Sequence, residues 1–481
     1  MREHWRIIPL LGVVLLSLSL HLEAQVTNTL YFMRGVPQSN RINPAHQPEG
    51  GFYLGLPGAS PLTSELSSSS ISFGDVIFPH PTEDSLITFL HPLADNGDFL
   101  QKLKPLNYVI SDVGTSLFSL GFRTGAGYFS LDVTSRVEGN IYIPGDLAKL
   151  AIEGINEGIT YELDGIGADL SGFEEVSLGW SYELGQNIQI GVRGKILFGI
   201  GNLTTSKSQL SVTTSEEFWN LRSSILVNAS IPFAEVVYDD EGLVEDILID
   251  EELENPSPLN IARYAFNQNN LGAAIDLGIN YRPGDRWLIS ASLLDLGMIR
   301  WKDNVHQASY EIEYDYTSVD VDPLDFADEV AIDTYADSVL NALADTLTGG
   351  LTMGPAGAYS SRLNTKLYLG ASFYVTPSIN FGLLSRTDFL RDAIVEQLTA
   401  SANFRAGRFL NFSLSYSYIN SYFKNLGAGI SFNAGPFNLY VISDNALNAV
   451  FWPEEASSAN LWLGMNLVFG YREKLDRPLI Y

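Results

Sequence analysis

Residues 176–184, VSLGWSYEL, put Val176, Leu178, Trp180, Tyr182 and Leu184 on one side of an extended chain, and Ser177, Gly179, Ser181 and Glu183 on the other. Successive side chains of a strand point to opposite faces, so this period of two predicts a β-strand with one apolar and one small polar face. Residues 188–200 repeat the pattern, with Ile188, Ile190, Val192, Ile196, Phe198 and Ile200 opposing Gln189, Gly191, Arg193, Lys195 and Gly199. Between the two runs, Gly185, Gln186 and Asn187 suit a tight hairpin turn.

The alternation extends outward from this hairpin. Phe118, Leu120 and Phe122 alternate with Ser119, Gly121 and Arg123, and Phe129, Leu131 and Val133 with Ser130, Asp132 and Thr134. Residues 271–281 set Ala273, Ile275, Leu277 and Ile279 against Gly272, Asp276, Gly278 and Asn280. Residues 366–375, 379–387, 398–405, 410–419, 426–434 and 437–443 form a meander with short turns, closed by 460–471. Residues 287–296 alternate poorly. A soluble sandwich hides its apolar face and shows charged residues outside. Here the polar face is mostly Ser, Gly and Asn, which suits a water- or plug-filled lumen. An apolar face with Trp and Tyr near the strand ends, opposite a polar face, predicts an all-β fold: an antiparallel transmembrane β-barrel of about 14 strands. Closure also removes the exposed sheet edges that so many strands would leave.

The chain has 481 residues, 28 Lys plus Arg, 56 Asp plus Glu and a net charge of −28, with 17% charged residues and no cysteine. Without cysteine there are no disulfides, Cys-ligated metals, thiol nucleophiles or lipidated N-terminal Cys. The acidic balance makes nucleic acid an unsuitable partner. Ten acids fall in residues 235–254 and eleven in 311–345, with no Lys or Arg in either block. Removing these 21 takes the net charge from −28 to −7. They read as solvated loop insertions, with divalent-cation binding as the alternative, although neither matches a spaced Ca²⁺ loop.

Residues 1–24 carry Arg2 and Arg6, then the apolar IIPLLGVVLLSLSL, then LEA before Gln25, the order of a cleaved export signal. Residues 25–50 lack alternation and hold Pro37, Pro44 and Pro48, so they form irregular chain, either a plug in the lumen or a periplasmic tail. The barrel then occupies 51–481. Residues 146–155 and 325–347 have helical spacing and predict loop helices. Near the end, Gly464, Leu467 and Phe469 are spaced like the terminal-strand signal read by the barrel assembly machinery, with Trp462 where a polar residue is usual.

No chemistry-bearing motif appears. His46, His80, His91 and His306 stand isolated and outside the strands assigned above, so no Ser-His pair is placed. Gly199-Ile200-Gly201 is read as the end of a strand without a following helix, unlike a phosphate-binding loop. No catalytic residue, metal set or cofactor is therefore assigned. Arg123, Asp132, Glu183, Arg193, Lys195, Asp276, Arg386 and Arg405 are the charges expected to face the lumen. Two roles are open to them: a selectivity lining or plug anchors, and pairing across the lumen that stiffens the barrel.

At this point the residues resemble a known group. Asn43-Pro44-Ala45 resembles the N-terminal N-P-A of FadL-like and PorV-like outer-membrane barrels. VRGKILFGIGN (192–202) resembles that group's mid-barrel strand. LGAAIDLGINYRPGDRWLISASLLDLGMIRW (271–301) resembles its paired D-L-G strands, and NLYVISDNAL (438–447) its penultimate segment. Together these are similar to a Bacteroidota outer-membrane family catalogued as a domain of unknown function. The resemblance implies 14 strands with the N-terminal segment inside, Asn43, Pro44 and Ala45 anchoring it, and Asp276 and Asp295 as turn or lumen residues. Three readings follow: a channel or carrier for hydrophobic or amphipathic small molecules, a non-transporting barrel that shuttles or docks a secretion component, and a soluble exported all-β protein. The first two place the protein in the outer membrane, in contact with its lipid.

Overall fold

The computed structural model describes residues 28–79, 85–88, 97–153, 156, 158–215, 218–239, 242–254, 257–317, 350–419, 422–446 and 458–471. Fourteen antiparallel strands close into a barrel. The first, β1, comes in two pieces, Phe52–Gly55 and Leu62–Ser68, and both pieces pair with the same two neighbours. Then follow β2 (Leu106–Thr124), β3 (Gly127–Pro144), β4 (Gly167–Leu184), β5 (Ile188–Thr214), β6 (Leu271–Tyr281) and β7 (Trp287–Trp301). The late meander supplies β8 (Thr365–Thr376), β9 (Ile379–Phe389), β10 (Ile394–Ala406), β11 (Leu410–Ile419), β12 (Tyr422–Ala434), β13 (Phe437–Ser443) and β14 (Ser458–Phe469). Pairing of β14 with β1 closes the ring, and the Gly51 N–H donates to the Gly470 carbonyl at 2.8 Å beyond it.

Alternation decides which side each residue faces. Leu178 is 61% exposed on the outside, while its neighbour Ser177 is 1% exposed in the lumen. The outer face is thus apolar, as hydrocarbon requires, and strands pair with their neighbours around the ring. Aromatic rings ring the end with the short turns: Phe52 beside Phe469, Phe122 beside Phe129, Trp180 beside Tyr182, and Trp287 beside Phe373. Such girdles mark the membrane interface, and short turns mark the periplasmic side. Among the described residues, no helix is long and apolar enough to cross a membrane.

Three details depart from the sequence reading. Strand β5 does not end at Gly201 but runs 27 residues to Thr214. Its upper half pairs with Phe218–Ser230, which pairs with Val305–Thr317, so a sheet rises above the rim. His306 therefore lies within a strand. Its Nε2 and the Asn304 Oδ1 are 2.8 Å apart, and its Nδ1 pairs with the Tyr238 hydroxyl. The irregular pattern of 287–296 has two sources: apolar Leu288 and Leu294 face the lumen, and a bulge at Asp295, with φ +57°, reverses the side-chain parity. Of the two acidic blocks, the first contains a hairpin of Ala234–Tyr238 with Val244–Ile249. The second begins in Val305–Thr317, and its remainder, with the helix expected over 325–347, lies outside the described residues, as do His80 and His91.

Candidate functional site

The lumen is filled from the short-turn end by residues 28–50. Two single 3₁₀ turns, Asn28–Phe32 and Pro37–Arg41, fold this segment on itself. Its backbone hydrogen bonds are internal, for example Met33 N–H to the Leu30 carbonyl and His46 N–H to the Asn43 carbonyl. The wall holds it through side chains. At the upper end, Asp444 accepts the N–H groups of Asn28 and Thr29, and Thr29 Oγ1 sits 2.6 Å from Ser415 Oγ. Ser292 donates to the Ile42 carbonyl at 2.7 Å, and Gln38 and Asn466 exchange two amide bonds.

Asn43, Pro44 and Ala45 make the closest approach to the wall. Asn43 Oδ1 accepts the Ala45 N–H at 2.9 Å, a local turn, while Asn280 donates to the Ala45 carbonyl at 3.1 Å. This turn needs bare backbone opposite. A Cβ at Gly191 would sit 2.2 Å from the Pro44 carbonyl, and one at Gly278 would sit 2.3 Å from Asn43 Oδ1. Each D-L-G triplet thus divides its labour: Asp276 and Asp295 face the lumen, Leu277 and Leu296 face lipid, Gly278 admits the plug, and Gly297 lies against the Ala273 carbonyl.

Above the plug runs a belt of charges. Asp295 is its hub, with Lys195 Nζ at 2.5 Å, Arg136 at 3.3 Å and Lys366 at 3.9 Å. Its N–H donates to Asp276 Oδ1 at 2.8 Å, and Asp276 lies 3.0 Å from Lys195 and 3.7 Å from Arg193. Arg136 also reaches Asp112, Glu138 and Glu175. A second group joins Arg386 to Glu65 and Asp388. Asp132 pairs with Arg41 of the plug at 2.9 Å and stands 4.0 Å from Arg193. Five of the eight charges named from sequence therefore lie in this belt: Asp132, Arg193, Lys195, Asp276 and Arg386. The other three are at the short-turn mouth, where Arg123 donates to Gln47 and the Pro48 carbonyl and stands 3.8 Å from Glu183, and Arg405 pairs with Glu49. Sequence reasoning missed Arg41, Glu65, Asp112, Arg136, Glu138, Glu175, Lys366 and Asp388. Extending the strand parity would have reached Glu175, two residues before Ser177, and Lys366.

A cavity of about 80 Å³ lies between plug and belt, lined by Arg41, Asp112, Arg193, Lys366, Tyr368 and Trp462 among others. That is room for a few waters and well under the roughly 300 Å³ at which small-molecule pockets begin. Towards the far end the lumen turns apolar. Phe173, Leu197, Ile299, Trp301 and Leu363 form one buried cluster, and Tyr108, Ile110, Tyr142, Leu390 and Val395 another. Arg136 caps the first, its guanidinium 5.5 Å from the Phe173 ring centroid.

A closed barrel with an apolar outer belt and a polar, plugged interior is an outer-membrane protein. Residues 44–444 match a family of unknown function, DUF5723, and the chain belongs to that family. No curated protein matches the sequence. Among solved structures, the toluene transporter TodX of P. putida is similar over 89% of this chain and 93% of its own, at 8% identity and a TM-score of 0.37. A FadL homologue of Pseudomonas aeruginosa is similar over 93% of this chain and 96% of its own, at 10% identity and a TM-score of 0.37. The monoaromatic hydrocarbon channel CymD is similar over 91% and 94%, at 8% identity and a TM-score of 0.38.

Proposed function

We propose that this protein is a channel or carrier for hydrophobic or amphipathic small molecules, held closed by its N-terminal segment. The observation that carries the reading is how the segment is held. Among the described residues, 28–50 fills the lumen yet makes no backbone–backbone hydrogen bond to the wall. A strand in the ladder would leave only by breaking the sheet. The segment is held through side chains, by hydrogen bonds, the ion pair of Arg41 with Asp132, and an apolar cluster of Leu30, Tyr31, Phe32, Met33, Val36 and Ile42 against the wall. It can therefore leave with the ladder intact, at the cost of exposing that cluster. The solute class is the one the FadL-like resemblance implies. With the plug in place the lumen is filled at the short-turn end, so passage follows displacement of the plug.

A second reading, a non-transporting barrel that docks or shuttles a secretion component, draws on the belt itself, whose ion pairs cross the lumen. Liposomes carrying the full chain or a variant lacking 25–50 separate the two. Under the channel reading, a fatty acid or a monoaromatic hydrocarbon enters liposomes with either protein, faster with the variant. Entry with neither protein, together with co-purification of a secretion component, favours docking.

A further inference from the structure

The belt's ion pairs involve eight wall carboxylates but only five wall cations. The sixth cation, Arg41, comes from the plug. It enters a pocket built wholly by the wall. Arg41 Nη2 donates to Asp132 Oδ1 at 2.9 Å and to the hydroxyls of Ser116 and Thr134 at 3.1 Å each. Ser119 donates to the same carboxylate oxygen at 2.6 Å and fixes its orientation. Asp132 is 1% exposed, Ser116 0% and Thr134 5%. Asp132 Oδ2 receives no hydrogen bond, so the carboxylate keeps capacity for a second donor. Arg41 Nε is likewise without a hydrogen-bond partner, and its side chain lines the cavity, so space remains beside the three contacts it makes.

Without Arg41, the one cation left beside the buried Asp132 among the described residues is Arg193, 4.0 Å away and giving it no hydrogen bond. The three oxygens that converge on the Arg41 Nη2 amino group form a donor-selective site. We propose that this wall pocket is a receptor for guanidinium and primary ammonium groups, with Arg41 as its tethered occupant in the closed barrel. The proposal deepens the releasable-plug reading by naming a head group the lumen accepts, but its test does not depend on transport. Primary ammonium and guanidinium both fit, because all three contacts are made by the single Nη2 and an ammonium presents three N–H donors from one nitrogen. A quaternary ammonium has no N–H to give and does not bind.

The test is chemical rescue in the full chain. Arg41→Ala empties the pocket, and the melting temperature in detergent falls by several degrees. Methylguanidinium or methylammonium at tens of millimolar restores most of that loss, and tetramethylammonium and acetate at equal ionic strength restore none. Adding Asp132→Asn abolishes the rescue. Rescue by tetramethylammonium, or rescue that survives in the double variant, overturns the proposal as a general salt effect. Rescue by acetate overturns it in favour of an anion pocket. A melting temperature that neither the substitution nor any cation moves overturns it outright. Should Arg41→Ala not fold, Arg41→Gln carries the same titration.

Discussion

Asp295 is the position at which the belt can be broken with least disturbance to the backbone. Its φ of +57° is tolerated by Asn at least as well as by Asp, so Asp295→Asn removes the charge and keeps the bulge. The substitution weakens contacts to Lys195 at 2.5 Å, Arg136 at 3.3 Å and Lys366 at 3.9 Å, while the N–H bond to Asp276 remains. Removing one partner of a buried pair costs about 3–5 kcal/mol when the other is stranded. Here none is stranded. Lys195 keeps Asp276 at 3.0 Å, Arg136 keeps Asp112 at 3.0 Å, and Lys366 keeps Asp112 at 3.1 Å. The expected loss is therefore lower, about 2–3 kcal/mol. Asp295→Ala adds about 1–2 kcal/mol, because alanine resists the left-handed conformation. Urea unfolding in lipid vesicles, followed by tryptophan fluorescence and by heat-modifiable mobility on gels, measures both. An Asn variant within about 0.5 kcal/mol of the parent would refute a net stabilising belt, since that is the scatter of ordinary surface substitutions. Equal losses for Asn and Ala would refute the strained bulge.

Two further outcomes test the plug seat and the membrane face. Gly191→Ala and Gly278→Ala drive a methyl group into Pro44 and Asn43, so limited proteolysis of 28–50 accelerates about tenfold, the effect of some 1.4 kcal/mol, while heat-modifiability is kept. Gly194→Ala, with nothing within 4 Å of its Cβ, leaves the rate unchanged. Leu178→Arg, on the lipid face, costs about 2–4 kcal/mol in the same urea titration if it lies near the bilayer midplane. No loss at all would argue that this face is not in hydrocarbon.

Where one face meets lipid and the other a packed polar lumen, alternation is enforced at every residue, and β6, β11 and β13 match the expected spans of 271–281, 410–419 and 437–443. Strand β7 is hard to read because apolar Leu288 and Leu294 face the lumen and one left-handed residue, Asp295, then reverses the parity, held by contacts from β5 and β8. The break in β1 was equally hidden, since residues 56–61 interrupt two short pieces that are strands only by virtue of β2 and β14 on either side. The belt was half legible. Asp132, Arg193, Lys195, Asp276 and Arg386 announce themselves as charges on a small-polar face. Arg41 gives no such signal, because it lies in irregular chain and its role depends on where that chain folds. His306 misled for the opposite reason: its strand extends above the membrane, where the apolar face that reveals the others is not required.

If the N-terminal segment is a removable closure, a reversible lock on it controls solute entry. Thr29 Oγ1 and Ser415 Oγ are 2.6 Å apart, close to the roughly 2.05 Å of a disulfide, and the chain has no cysteine of its own. Thr29→Cys with Ser415→Cys therefore ties plug to wall through the only thiols present. In liposomes, oxidation of this pair is predicted to stop solute entry and reduction to restore it, with the parent protein indifferent to both treatments. Entry at the same rate in the oxidised and reduced protein, once the cross-link is verified by mass, would contradict the account.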